Sequence, residues 1–297
     1  MFHRPVLVEE SIQGLNVKPG GVYVDATYGG GGHAGRIIEK IEDGLLIAFD
    51  QDTEAGKNLI DDDRLIFINH NFRYMKNFLK YLGFNQIDGI LADLGVSSHH
   101  LDVPERGFSF RFDASLDMRM NQYAPHSAAF VINTYTAKAL NDIFRNYGEI
   151  RKTRPLVEAI LEKRNKRQIN TTSELVDALK DYIPQKYRNK FLAKVFQALR
   201  MEVNKEIENL KQFLKQSYEM LKSGGRLTVI SYHSIEDRIV KNYIKSGRFS
   251  GEPIKDFYGN VLAPFAMVNK RVIVPSGEEV RNNNRARSAR LRIAEKL

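Results

Sequence analysis

The chain of 297 residues is 42% hydrophobic and 27% charged, ordinary for a soluble globular protein that buries a real core in one large domain or two modest ones. It contains no cysteine, which excludes disulfides and thiolate metal sites and fits a reducing cytoplasm. The formal charge is +9, and it is placed rather than spread: residues 150–200 carry 13 Lys/Arg against 5 Asp/Glu, and residues 281–297 carry 6 against 1. Those two stretches hold more than the whole surplus, a pattern that points to a polyanionic partner.

The N-terminus, Met1 to Glu10, has too few apolar residues for a signal-peptide core, and no apolar run reaches membrane-spanning length. The expectation is an unprocessed cytoplasmic protein with no membrane association. Pro5 to Leu15 reads as a short amphipathic helix, with Val8, Ile12 and Leu15 on one face. Short apolar runs ending in polar residues follow at 22–27, 45–50, 65–70 and 87–94, with helical periodicity between them, as in Phe72, Met75, Leu79 and Leu82. Strands alternating with helices predict a parallel α/β sheet with ligands at the carboxyl ends of its strands.

From about residue 113 the strand-like runs stop and helical periodicity takes over to about residue 207. Domains are therefore expected at 1–112 with 208–297, and at 113–207 as a helical insert. Leu192, Val195, Leu199, Val203, Ile207, Leu210 and Leu214 keep a spacing of three to four, which predicts one long helix across the second boundary. After Gly224-Gly225 a strand over 226–232 resumes the sheet, and the chain closes on a loop-rich segment and an arginine-rich tail.

Asp25-Ala-Thr-Tyr-Gly-Gly-Gly-Gly-His33 carries the strongest local signal, because four consecutive glycines are costly unless the backbone visits φ > 0 or lies against a ligand. Gly30-x-Gly32-x-x-Gly35 matches the dinucleotide fingerprint, whereas a P-loop is disfavoured because no Gly-Lys-Ser/Thr follows. S-adenosylmethionine fits the same turn, with Asp25 suited to its ammonium. Asp50, at the end of the second strand, suits an adenosine ribose and does not separate the two cofactors. Asp93, ending the fourth strand, is the sharpest catalytic candidate, since an acceptor bonded to an exocyclic amine raises its electron density during attack.

Ser231 to Asp237 holds a serine-histidine pair without a nucleophile elbow, and Ser234-x-x-Asp237 reads more simply as a capping box. His99-His100 lacks a partner at ligand spacing, so no metal is expected. Tyr182, Tyr187 and Phe191, interleaved with the basic residues of the insert, suit either a core or a nucleic-acid face.

Several longer stretches carry a family resemblance: Val24-Asp-Ala-Thr27 with Gly31-Gly-His33, Asp88 to Ser98, Arg106 to Phe110, Leu116 to Met120, Phe196 to Arg200, His233 to Arg238, and Asn284 to Arg292. Together they resemble the MraW family of bacterial small-subunit (16S) ribosomal RNA methyltransferases over the length of the chain. The resemblance implies a Rossmann-like class I methyltransferase sheet with an inserted all-helical domain. It implies transfer of a methyl group from S-adenosylmethionine to the N4 amine of a cytosine in the decoding region, on ribosomal RNA or the 30S subunit. Carried over by position, Gly31, Gly32, His33, Asp50, Phe72, Asp93 and His100 are expected to touch the cofactor, with Asp93 doubling as amine acceptor. Arg285, Arg287 and Arg290 are the expected RNA contacts of the tail. Where the family usually has Pro-Gln this chain reads His99-His100, and Lys190-Phe-Leu-Ala193 stands where many members carry His-Pro-Ala. The alternatives are a DNA amino-methyltransferase, whose Asp/Asn-Pro-Pro-Tyr/Phe motif is absent, a nicotinamide-dependent oxidoreductase, and a non-catalytic ribosome-assembly factor.

Overall fold

The computed structural model describes residues 5–97, 101–183, 185–253 and 255–297, without the side chain at 58. Two compact units divide the chain, one formed by residues up to Gly95 with Ile207–Leu297 and the other by Val96–Glu206.

The first unit is built on a seven-stranded sheet in the order β3-β2-β1-β4-β5-β7-β6. Its strands are β1 (Val22–Asp25), β2 (Leu45–Phe49), β3 (Leu65–Ile68), β4 (Ile87–Asp93), β5 (Leu221–Ser231), β6 (Phe265–Met267) and β7 (Arg290–Lys296). The pairs from β3 through β5 are parallel, as the alternating strand and helix pattern requires. Helices α1 (Val8–Leu15), α2 (Gly32–Ile41) and α3 (Met75–Tyr81) precede β5 in this unit. Ile12, Leu15, Ile37 and Ile41, at helical spacing, bury against Tyr23, Leu46 and Leu91 of the sheet.

One expectation for the end of the chain is corrected. The strand expected over 226–232, after Gly224-Gly225, starts earlier: β5 takes in both glycines, and there the pairing shifts from Ile87 with Leu221 to Gly89 with Arg226. The arginine-rich tail is itself part of the sheet: β7 runs antiparallel between β5 and β6, with Leu291 fully buried and Ile293 5% exposed. Alternation explains this, because Leu291 and Ile293 supply an apolar face while Arg290 and Arg292 point the other way.

The second unit packs α4 (Ala128–Thr134), α5 (Ala137–Asn146), α6 (Arg154–Lys166), α7 (Thr172–Leu179) and α8 (Arg188–Val203) around one core. The unit takes in residues from Val96, and Val96, Leu101, Phe108 and Phe110 pack into its helical core. Arg106 anchors the same segment by donating to the carbonyls of Arg119 and Met120. Thr171 and Glu174 close a full capping box on α7.

The single long helix expected through 192–214 is two helices, α8 and α9 (Glu206–Met220). Lys205 takes φ 50 and Asn204 turns its amide to the carbonyls of Met118 and Arg200, so the chain breaks there although the apolar spacing runs on. Among the described residues, no helix is long and apolar enough to cross a membrane.

Candidate methyl-donor and amine site

The order of the sheet reverses between β1 and β4, and in open α/β sheets the crevice at the carboxyl ends beside such a reversal is the usual ligand site. Asp25 and Asp93 end the two strands there, and Asp50 follows β2 directly. Thr27 ties the pair together: its Oγ1 accepts the Asp93 backbone N–H at 2.6 Å while its hydroxyl donates to the Asp25 carboxyl group.

Asp25 is fully buried. One of its oxygens, Oδ1, accepts the Thr27 N–H at 3.0 Å, whereas Oδ2 has no hydrogen-bond partner among the described residues. Burial pushes its pKa up to about 7, the Thr27 N–H opposes that rise, and the charge of Asp50 adds to it. A buried carboxylate oxygen without a donor is costly, and a cationic ligand would relieve it.

Asp93 keeps 22% side-chain exposure and is bound at Oδ1 by the Tyr232 hydroxyl at 2.8 Å. Its pKa also rises to about 7, through burial first, with the Tyr232 hydrogen bond opposing and the charges of Asp25 and Glu236 reinforcing. Tyr232 is raised in turn, by burial and then by Asp93, so it stays a phenol and a donor. Tyr232 was not singled out in the sequence; its only local signal is its place immediately after β5.

His33 is 4% exposed, and its Nε2 donates to the Val6 carbonyl at 3.1 Å. Burial lowers its pKa to about 4 against the opposing effect of that bond, so the ring is neutral and turns Nδ1 toward Asp93 Oδ2 at 3.9 Å. The glycine turn divides by cause. Gly31 caps α2 at φ 77, where a Cβ would lie 2.7 Å from the Tyr28 hydroxyl; at Gly32 a Cβ would lie 2.6 Å from the Pro5 ring. At Gly30 a Cβ would meet nothing within 4 Å. Packing by Tyr28 and the N-terminal segment thus accounts for Gly31, Gly32 and His33, and Gly30 is the position with open space before it.

Asp50 accepts the Gly29 N–H at Oδ2 and the Asp52 N–H at Oδ1. Asn69 and Asn71 bind the neighbouring Asp50 carbonyl and Gln51 side chain, which fixes the end of β3 beside the end of β2. Phe72 starts the turn after that segment, with its ring 5.2 Å from Phe213 of α9. His100 and His99 lie outside the described residues.

The capping box expected from Ser234 and Asp237 does not form. His233 is the N-cap of α10 (Ser234–Ser246), its side chain accepting the Glu236 N–H. Asp237 instead receives Arg292 in a bidentate pair at 2.7 and 3.1 Å, with Arg290 at 3.1 Å. Burial acts to raise the Asp237 pKa, but the two guanidinium groups prevail and hold it below the usual carboxylate range. Of the expected RNA contacts, Arg290 is therefore engaged within the fold, while Arg285 and Arg287 stand exposed on a short 3-10 turn, Asn284–Ser288.

The model of one protein family, the MraW methylase family, matches residues 1–297. The chain belongs to that family. Among its relatives, a ribosomal RNA small subunit methyltransferase H from Flavobacterium johnsoniae is 54% identical over 297 residues, covering 100% of this chain and 98% of its own length. A protein of the same name from Christiangramia forsetii is 53% identical, again over 100% and 98% of the two chains. Among solved structures, an rRNA methylase from Streptococcus thermophilus aligns over 100% of this chain and 99% of its own at TM-score 0.43 and 11% identity, a distant likeness. Membership gives the MraW sheet its reading as a Rossmann-like class I methyltransferase fold, in which β7 is the antiparallel strand set between β5 and β6.

Proposed function

We propose that this protein transfers a methyl group from S-adenosylmethionine to the N4 amine of a cytosine in the decoding region of small-subunit ribosomal RNA. One observation carries the reading: three carboxyl groups, Asp25, Asp50 and Asp93, gather at the switch point of the sheet, and the buried Oδ2 of Asp25 lacks a partner among the described residues. Such a crevice suits a cationic ligand and opposes the pyrophosphate of a dinucleotide, which weighs against the nicotinamide alternative. The relatives' name, ribosomal RNA small subunit methyltransferase H, supports the RNA substrate over DNA, as does the absence of a Pro-Pro pair after Asp93.

The residues fit the donor in kind. Asp25 neutralises its ammonium, Asp50 receives the ribose hydroxyls, and Gly30 leaves room beside the backbone. The donor supplies an electrophilic methyl on a sulfonium. Asp93 accepts a hydrogen bond from the amine, with Tyr232 holding Oδ1 so that the carboxyl group cannot rotate away. Neutral His33 adds no competing positive charge beside it. A paired cytosine must leave its stack to reach the crevice, and Arg285, Arg287 and the basic insert hold the surrounding RNA. A cytoplasmic location follows from that substrate.

Incubation with methyl-labelled donor and unmodified small subunits or naked small-subunit RNA tests the reading; label must appear in a cytosine. Absence of label from both substrates sinks it.

Donor binding should also depend on pH. Both Asp25 and Asp93 have pKa values raised to about 7, so protonated forms prevail below that and carboxylates above it. A cation binds the ionised forms, so affinity rises with pH, by about tenfold between pH 6 and 8 for a single controlling carboxylate. Calorimetric titrations across that range measure this. A flat profile removes Asp25, the acid assigned to the donor's ammonium, from the donor site.

A further inference from the structure

Within the helical unit, a cavity of about 650 Å³ opens between the segment at Phe110-Arg111, helix α7 and the entry to α8. Its walls carry Arg111, Lys186, Arg188 and Lys190, two amide side chains and an apolar floor of Phe110, Val176 and Leu192, and among the described residues no acid lines it. We propose that this cavity seats the phosphodiester backbone of an unpaired RNA strand, an inference that rests on the ribosomal RNA reading above.

The convergence of four cations on one concavity makes the case. Some cations elsewhere in this unit are matched, Arg119 with Asp117, Arg154 with Glu158, Lys166 with Glu162, Arg167 with Glu174, and Arg200 with Glu206, while others, such as Lys138, Arg145 and Lys163, lie apart from one another along the helices. The four cations of the cavity form no ion pair among the described residues. Four like charges around one concavity repel each other, and that repulsion is offset when a polyanion enters.

The volume lies within the range of ligand cavities, far more than an inorganic anion needs. The floor is fixed before any ligand arrives, with Leu192 2% exposed and Phe110 set edge-on to Phe196 at 5.5 Å. At the rim, Lys186 lies over the ring of Tyr187, which is 57% exposed and offers a face on which a base can stack. An RNA strand uses all of these together: phosphates for the cations, a base for the tyrosine.

The test compares the wild-type chain with a fourfold variant, Arg111→Gln, Lys186→Gln, Arg188→Gln and Lys190→Gln, in titrations with a single-stranded RNA oligonucleotide at several potassium chloride concentrations. Each phosphate contact on a single strand contributes a slope of about −0.7 in log K against log salt, so loss of three or four contacts should flatten the slope by about 2 to 3. RNA affinity at low salt should fall by at least about tenfold, and KM for RNA should rise, while donor affinity stays unchanged. The charge-keeping exchange Arg111→Lys, Lys186→Arg, Arg188→Lys and Lys190→Arg should retain the wild-type slope. If the fourfold variant melts early, the double variants Arg111→Gln with Lys186→Gln and Arg188→Gln with Lys190→Gln give the same readout. An unaltered slope and affinity in the glutamine variants overturns the proposal. So does tight binding of ATP to the wild-type cavity that RNA cannot displace, which would make it a site for a free nucleotide. These failures differ from failure of the functional reading, in which the wild-type chain itself transfers no methyl group to RNA.

Discussion

Replacing Asp93 by asparagine is expected to lower methyl transfer about 10²- to 10⁴-fold, the usual range for losing a positioned proton acceptor. Asparagine keeps the size of the side chain and an oxygen for the Tyr232 hydroxyl, so the hydrogen bond at 2.8 Å can persist and the local packing with it. It replaces the other acceptor oxygen, which lies 3.9 Å from His33 Nδ1, by an amide donor that cannot receive the amine's hydrogen. The dissociation constant for the donor should move by less than about threefold, well under 1 kcal/mol. Single-turnover rates and calorimetric donor binding on the same preparation separate the two quantities. Loss of donor binding with turnover would assign Asp93 to the donor instead of the amine. Tyr232→Phe should act in the same direction and more weakly, about tenfold, because it frees the carboxyl group without removing it.

The second large effect lies at Asp237, where alanine should destabilise the fold by about 3–5 kcal/mol, the cost of leaving a buried partner charge unmatched. Asp237 is 6% exposed, and the Arg292 side chain that it receives in a bidentate pair is 12% exposed. Arg292 stands on β7, whose pairing with β5 joins β6 to the rest of the sheet, so the defect falls on a strand inside the sheet. The sign with pH follows from the depressed pKa of Asp237. Its contribution is complete above the unfolded carboxyl value and is lost as pH falls through the lower folded value. Urea titrations of wild type and Asp237→Ala at pH 7 should differ by the full amount, and the difference should shrink in acid. A difference under about 1 kcal/mol at pH 7 would place the pair among those that contribute little.

Much of this was legible in the sequence because it is local. The runs at 22–27, 45–50, 65–70 and 87–94 contain the observed strands, and the acids that end them are at the carboxyl ends of the sheet. Periodicity failed where one residue outweighed it. Lys205 takes a left-handed conformation in the middle of an uninterrupted apolar spacing, and nothing in that spacing announces the break. The two glycines at 224–225 read as lying before the strand because a bulge uses the same residue types as a turn.

By itself the sequence determined the α/β alternation, the helical insert, the placement of positive charge and the carboxylates of the candidate site. Each follows from spacing or residue type within a few positions of the chain. Only the tertiary structure decided what those carboxylates face. Tyr232 meets Asp93 across 139 residues, Arg292 meets Asp237 across 55, and Pro5 and Val6 close over Gly32 and His33 from the far side of a helix. Hydrophobic periodicity specifies which face of an element is buried but not which element covers it, and a hydrogen bond between distant side chains leaves no periodic trace. The glycine turn is the clearest case: four glycines announce a close approach, and the fold assigns two of those approaches to Tyr28 and Pro5 and leaves open space at Gly30.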